Sequence, residues 1–461
     1  MSKPVKRLLG MEFDGTPIFA ASASHSMLLA AAGGWKTTAG AMTWILSLIA
    51  DHNRGLIIND CKDGEMAAQC ADLCKRYGRK VAIIDDFGVL GKDNPHRISI
   101  TPFGSMISAY EQDNGELIFS TENTNHALIP DPPNDSRNQF FRDEPRTLQE
   151  FAELALLKRK PELATPGGVW ALIANPETLK QAAAIEAEEG DEVLSALGAH
   201  VLDMAENDRE NYGKHRGAAL KSLRIFSAGS PLHNVGADAE ITHTQLLKDH
   251  YIVFIVGPQR HMARLGAYYA LHLQSFVDAL LSGISGSVDF ILDEATNAPL
   301  KALISALTTM RGYGGNCHII AQSRSELQRA FGDKETETIE DQAIIKQYFG
   351  FSSFAEAERL SRAMGESQVI NQGLSFNSGK LEYSGNISTG KDRTFPAERL
   401  MRLKPDEQII HVKNLGFIHC KKIAQHQIAP FCHGELANNP LEGPQRAADP
   451  KVTLFTDKRG K

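Results

Sequence analysis

The stretch Val288-Asp289-Phe290-Ile291-Leu292-Asp293-Glu294-Ala295-Thr296-Asn297 decides the fold. Val288, Phe290, Ile291 and Leu292 make a short apolar run that stops at two carboxylates, Asp293 and Glu294. Such a run suits a strand buried on both faces. Adjacent carboxylates at its C-terminal end lie where open α/β sheets bind ligands. A nucleotide-hydrolysing site needs one carboxylate to hold Mg2+ and a second to orient the attacking water. Asp293 and Glu294 fit those two roles. The same residues also describe a strand ending in a solvated acidic turn, so the rest of the chain must decide.

Upstream, His25–Ala32 is a second apolar run. Gly33-Gly34-Trp35-Lys36-Thr37-Thr38 follows, and Ala39–Ile49 has the composition of a helix. Strand, glycine loop with lysine and threonine, then helix is the layout of a phosphate cradle. Backbone N–H groups and a helix N-terminus face the anion, Lys36 reaches the outer phosphates, and the Thr37 hydroxyl is offered to Mg2+. The pattern G-x-x-x-x-G-K-[ST] places glycine at positions 30 and 35, where this chain has Ala30 and Trp35. Gly33 and Gly34 stand just beside the expected place, so a plain strand–turn–helix stays open at this point.

Composition sets the frame. The chain has 461 residues, 42% hydrophobic and 23% charged, enough for two or three domains with a sizeable core. Its net charge of −7 announces no broadly basic face, although a basic channel fits inside an acidic whole. Six scattered cysteines without a C-x-x-C pair predict reduced thiols and a cytoplasmic setting. No run of about 18 apolar residues is present, so no membrane span is predicted.

Strands alternate with helices through about residue 105, and again from Tyr251 onward, which predicts an α/β fold with a mainly parallel sheet. Between Pro130 and Arg224 strand-like runs vanish, and apolar residues recur at helical spacing (Leu148, Phe151, Leu154, Ala155). The expected division is therefore an α/β domain over 1–129, an inserted all-α domain over 130–224, the second part of the α/β domain over 225–433, and a disordered tail over 434–461. Two basic clusters, Lys158-Arg159-Lys160 and Lys214-His215-Arg216, fall in the helical insert. Each is either a solvated surface or a nucleic-acid contact.

The order of motifs resembles the type IV secretion coupling proteins, the TraG/TraD-like conjugative DNA-transfer ATPases of the RecA-like FtsK group. The resemblance runs from Ala20 to Phe431. It is carried by Ala31–Thr38, Asp60-Cys61-Lys62-Asp63-Gly64-Glu65, Val81–Gly88, Leu292-Asp293-Glu294, Met310–Gly314, Gln322-Ser323 and Tyr348-Phe349-Gly350. It implies a RecA-like P-loop ATPase domain with ATP and Mg2+ as cofactors. Gly33, Gly34, Trp35, Lys36, Thr37 and Thr38 would bind the nucleotide, and Thr37 and Asp293 the metal. Glu294 would polarise water, Gln322 would sense the γ-phosphate, and Arg311 would reach the ATP of an adjacent subunit, with Arg359 and Arg362 as further interface candidates. It also implies a homo-hexamer around sequence-independent DNA, with relaxase or effector cargo received by the helical domain, and membrane channel components as partners. Members of the family usually carry transmembrane helices before the ATPase domain. None is read here, so recruitment to the inner membrane by a separate protein is expected.

Two readings follow from these residues. Lys36, Asp293, Glu294, Arg311 and Gln322 favour an ATP-driven DNA translocase. Trp35 at a glycine position favours a non-hydrolysing adaptor of the same fold. A small-molecule P-loop kinase is a third reading, against which the Arg-Gly-Tyr-Gly to Gln-Ser block argues.

Overall fold

The computed structural model describes residues 6–20, 23–113, 115–133, 138–297, 300–377, 382–444 and 448–454, with the backbone alone over 367–392 and at 433. Its strands are β1 (Leu8–Met11), β2 (Pro17–Phe19), β3 (Ser26–Leu29), β4 (Arg54–Asp60), β5 (Val81–Ile84), β6 (Ile252–Val256), β7 (Ser287–Leu292), β8 (Gly315–Ala321) and β9 (Ile345–Tyr348). A hairpin β10 (Glu366–Asn377) and β11 (Glu382–Arg393) follows, then β12 (Glu407–Val412), β13 (Gly416–Lys421), β14 (Ile428–Ala429) and β15 (Val452–Thr453). Eleven of them form one sheet in the order β2-β1-β13-β12-β9-β3-β8-β7-β4-β6-β5. From β9 to β5 the neighbours are parallel, and from β9 outward through β12, β13, β1 and β2 they are antiparallel.

The apolar runs explain the parallel part. Successive side chains of a strand point to opposite faces, so an unbroken apolar run needs cover on both. Met27, Leu29, Phe290, Leu292 and Ile319 enter one core, whereas Leu28, Ile58, Ile291 and Ile320 enter the other. The second core is closed by α1 (Met42–Leu48) and α2 (Glu65–Arg76).

The first core is much larger. It takes in α3 (Gly104–Gln112), α4 (Leu117–Leu128), α5 (Phe140–Arg159), α6 (Pro166–Ala174), α7 (Pro176–Glu189), α8 (Glu192–Asn207) and α9 (Arg209–Ser222). It also takes in α10 (His243–Lys248), α11 (Gly266–Leu281), α12 (Lys301–Ala306), α13 (Arg324–Phe331), α14 (Asp333–Gln342) and α15 (Phe354–Met364). Several starts are coded locally: the side chains of Thr165, Asn175, Asp191, Asp208 and Thr242 each accept a backbone N–H of the first turn.

Three boundaries differ from expectation. The helical layer begins at α3, well before residue 130. The α4 sequence, LIFSTENTNHAL, is rich in Ser, Thr and Asn, which favour caps and turns over helix interiors, so its periodicity is faint. After Asn297 the sequence predicts a helix over roughly Pro299–Met310; the structure has α12, followed by a 3-10 turn at Met310–Tyr313, and residues 298–299 lie outside the described residues. The tail expected to be disordered over 434–461 is built over 434–444 and 448–454. Leu436 and Val452 are buried in the second core, the Asn439 amide donates to Glu65 Oε1 at 2.8 Å, and β15 pairs with β14. Single apolar anchors spaced along a polar segment leave no periodic trace.

A buried polar network fastens the sheet interior. The His318 Nε2–H donates to Asp289 Oδ1 at 2.7 Å, Arg54 closes on Asp289 Oδ2, and Arg7 contacts both Ser26 and His318. Burial opposes ionisation of Asp289, but the His318 hydrogen bond and the Arg54 guanidinium outweigh it and bring its carboxyl down to about 2. A depressed carboxylate contributes stability above its unfolded value, and that contribution fades as pH falls through the folded value. Asp289→Asn is therefore expected to cost about 2 kcal/mol near neutrality, with the gap to wild type closing between about pH 4 and about pH 2. Thermal unfolding of both proteins across that range checks it. A gap that persists at the acid end removes the ionised pair as the cause.

Candidate functional site: a lysine–carboxylate cluster at the sheet's C-terminal edge

The loop after β3 and the end of β7 meet at one edge of the sheet, with β8 between their strands. Gly33 has φ 72, and Trp35 also takes the left-handed region, at φ 67. Gly34 leaves no room for a side chain, since a Cβ there would lie 2.8 Å from the Ala31 carbonyl oxygen. From Lys36 the chain winds as a wide π-type turn, with the Met42 N–H reaching the Thr37 carbonyl, before tightening into α1. Wide turns of this kind are frequent at functional sites.

Lys36 and Glu294 are joined directly: Nζ donates to Oε1 at 2.6 Å, and both side chains are buried. The Thr37 hydroxyl donates to Asp293 Oδ2 at 3.0 Å. Glu294 reaches Lys36 from a left-handed backbone, φ 52, which is unusual for a non-glycine residue and marks a locally strained strand end. The four residues that sequence reasoning placed in two distant motifs are thus brought together.

Lys62 is the group to which sequence reasoning gives no role, although its motif contributes to the family resemblance. Its Nζ lies 3.1 Å from Asp293 Oδ2 and 3.1 Å from Glu294 Oε1. The turn that aims it is tied down on both sides. Asp60 Oδ2 accepts the Ala67 N–H at 2.8 Å at the start of α2, and Asp63 Oδ1 accepts the Gln259 N–H at 3.0 Å. Burial works against the charge on Glu294, yet Lys62 and Lys36 hold its carboxyl below the ordinary glutamate range. Burial works equally against Lys62, and the two carboxylates push its pKa up. Two lysines and two carboxylates leave the cluster near charge balance and Glu294 ionised. An ionised, immobilised carboxylate beside a phosphate loop can orient a water for attack.

Gln322 follows β8 directly. The Ala30 N–H donates to the Ala321 carbonyl at 3.1 Å, so Gln322 emerges beside the phosphate loop, half-buried. Arg311 stands at the other end of the same strand, exposed, in the 3-10 turn before Gly315. A seven-residue strand spans roughly 20 Å, so Arg311 cannot serve the cluster of its own chain. Arg359 contacts Glu340, and Arg362 pairs with Glu358 at 3.0 Å. The basic clusters of the helical layer are largely engaged: Lys158 with Asp191 at 2.8 Å, Arg159 with Glu186 at 2.7 Å, Lys214 with Glu210 at 2.7 Å, and Arg216 with the carbonyls of Ile173 and Ala174. Among the described residues no helix is long and apolar enough to cross a membrane.

A strand bearing a glycine loop, one strand away from another that ends in Asp-Glu, with Lys and Thr meeting those carboxylates, defines the RecA-like P-loop fold. The chain belongs to the type IV secretory system conjugative DNA transfer family, whose model matches residues 5–449. Solved structures agree on the fold. The unbound bacterial conjugative coupling protein TrwBdeltaN70 shares 16% identity at a TM-score of 0.67, over 90% of this chain and 89% of that one. The plasmid coupling protein TrwB in complex with ADP and Mg2+ shares 14% at 0.62, over 87% and 85%. VirB4 of Thermoanaerobacter pseudethanolicus shares 16% at 0.53, over 94% and 99%. No curated protein matches the sequence.

Proposed function

We propose that this chain is an ATP-driven translocase of DNA or nucleoprotein, acting as a coupling protein in conjugative type IV secretion. The observation that carries the reading is the direct engagement of Lys36 with Glu294 and of Thr37 with Asp293. Lys36 is placed to meet the outer phosphates of ATP, and Thr37 with Asp293 to hold Mg2+. The donor set fits that ion, which takes one or two protein oxygens and fills its shell with water and phosphate. When bound, Mg2+ neutralises charge that develops on the transferred phosphoryl group. Glu294 orients the attacking water, and Gln322 lies at the neighbouring strand end, within the edge that would face the γ-phosphate. Arg311 serves the nucleotide of an adjacent subunit, which calls for a ring, a homo-hexamer in this reading. The solved relative in complex with ADP and Mg2+ supports the same cofactors here.

DNA would pass through the ring by sequence-independent phosphate contacts. The helical layer would receive relaxase or effector cargo, and membrane channel components would recruit the chain from the cytoplasm to the inner membrane. Trp35 in the left-handed region favours the second reading, an adaptor that keeps the fold without turnover.

Steady-state ATP hydrolysis with and without single- and double-stranded DNA separates the two. The translocase shows DNA-stimulated turnover, and its affinity for DNA drops by orders of magnitude between about 50 and about 200 mM salt. A folded, assembled protein without turnover leaves the adaptor.

A further inference from the structure

Lys422 leaves the end of β13 and is buried, 3% exposed. Its ammonium donates to the carbonyl of Phe349 at 2.8 Å and to the carbonyl of Gly34, in the phosphate loop, at 3.3 Å. It also lies 4.7 Å from the centre of the Phe349 ring and 5.8 Å from that of Trp35, within the range of a cation–π attraction. Phe349 in turn donates its N–H to Leu29, the last residue of β3, at 2.9 Å. One residue on, the Ile423 carbonyl accepts the Thr43 hydroxyl of α1 at 3.0 Å. The segment Lys422–Ile423 therefore touches the phosphate loop and the helix that follows it.

We propose that Lys422 is a positioning residue of the phosphate loop, doing from the antiparallel part of the sheet what a glycine at position 35 would otherwise allow the loop to do unaided. A bulky side chain at positive φ is disfavoured, and something must hold it. In a trans peptide the C=O and the next N–H point in opposite directions. Fixing the Gly34 carbonyl on the ammonium fixes the Trp35 N–H on the far side, the arrangement a cradle of backbone donors needs. The ring of Trp35 then covers the ammonium that holds its own peptide. Burial lowers the Lys422 pKa to about 8, with Asp406 opposing, so the side chain is still mostly charged near neutrality. The inference rests on the proposed nucleotide site, and its test separates the two.

The full chain and its Lys422→Met and Lys422→Arg variants are titrated with fluorescent mant-ADP and Mg2+, and hydrogen–deuterium exchange of residues 31–41 is followed without nucleotide. The expected result is about tenfold or more weaker binding in Lys422→Met, recovery in Lys422→Arg, and faster exchange confined to the loop in Lys422→Met. Wild-type affinity in Lys422→Met overturns the proposal. If wild type binds no mant-ADP, the nucleotide reading falls, and the exchange data alone decide: faster exchange of the loop upholds the clamp, unchanged exchange overturns it. Should Lys422→Met fail to fold, Lys422→Gln, which keeps N–H donors and drops the charge, is read by the same two measurements.

Discussion

Lys36→Ala is expected to bring DNA-stimulated ATP hydrolysis down about a thousandfold, to the level of a blank. Two effects add. The ammonium that would meet the outer phosphates is gone, and Glu294 is left with Lys62 as its remaining cation, 3.1 Å away. The fold should survive, because Lys62 continues to compensate both carboxylates and the loop keeps its tie to Lys422. Rates for wild type and variant, with thermal unfolding run alongside, check both halves. Unchanged hydrolysis in the variant would remove the proposed site altogether.

Arg311→Ala is expected to cost a factor of about a thousand or more in turnover, the scale of a guanidinium acting on transition-state charge from a neighbouring subunit. Its side chain is exposed, so neither stability nor nucleotide affinity should move much. The position at the far end of β8 makes a sharper demand. An Arg311→Ala subunit still carries an intact Lys36, and a Lys36→Ala subunit still carries an intact Arg311. Mixed assemblies should regain hydrolysis at the interfaces where the two intact halves meet. Mixed rings of verified composition that regain nothing would return Arg311 to the role of a surface cation.

Much of this site was legible because chemistry and secondary structure coincide along the chain. Asp293 and Glu294 follow an apolar run that suits a buried strand, and Lys36 with Thr37 follows another. Lys62 was not legible as a partner of those carboxylates, because nothing local says which way a turn aims a lysine; the ties of Asp60 and Asp63 do that from other elements. Lys422 was further out of reach, 388 positions from the carbonyl it holds. It follows β13, which lies between β1 and β12 in the antiparallel part of the sheet. The helices before residue 130 escaped for the opposite reason, since their polar residues conceal faces that only the tertiary core makes apolar.

The largest of the apolar cores runs without a break from the face of β7 and β8 through α3 to α9. Close-packed interiors have low compressibility and pass strain onward. A load applied to the outer helices would accordingly be felt at the strands that lead into Asp293 and Gln322. In the proposed translocase, tension on the cargo would reach the nucleotide site through that packing.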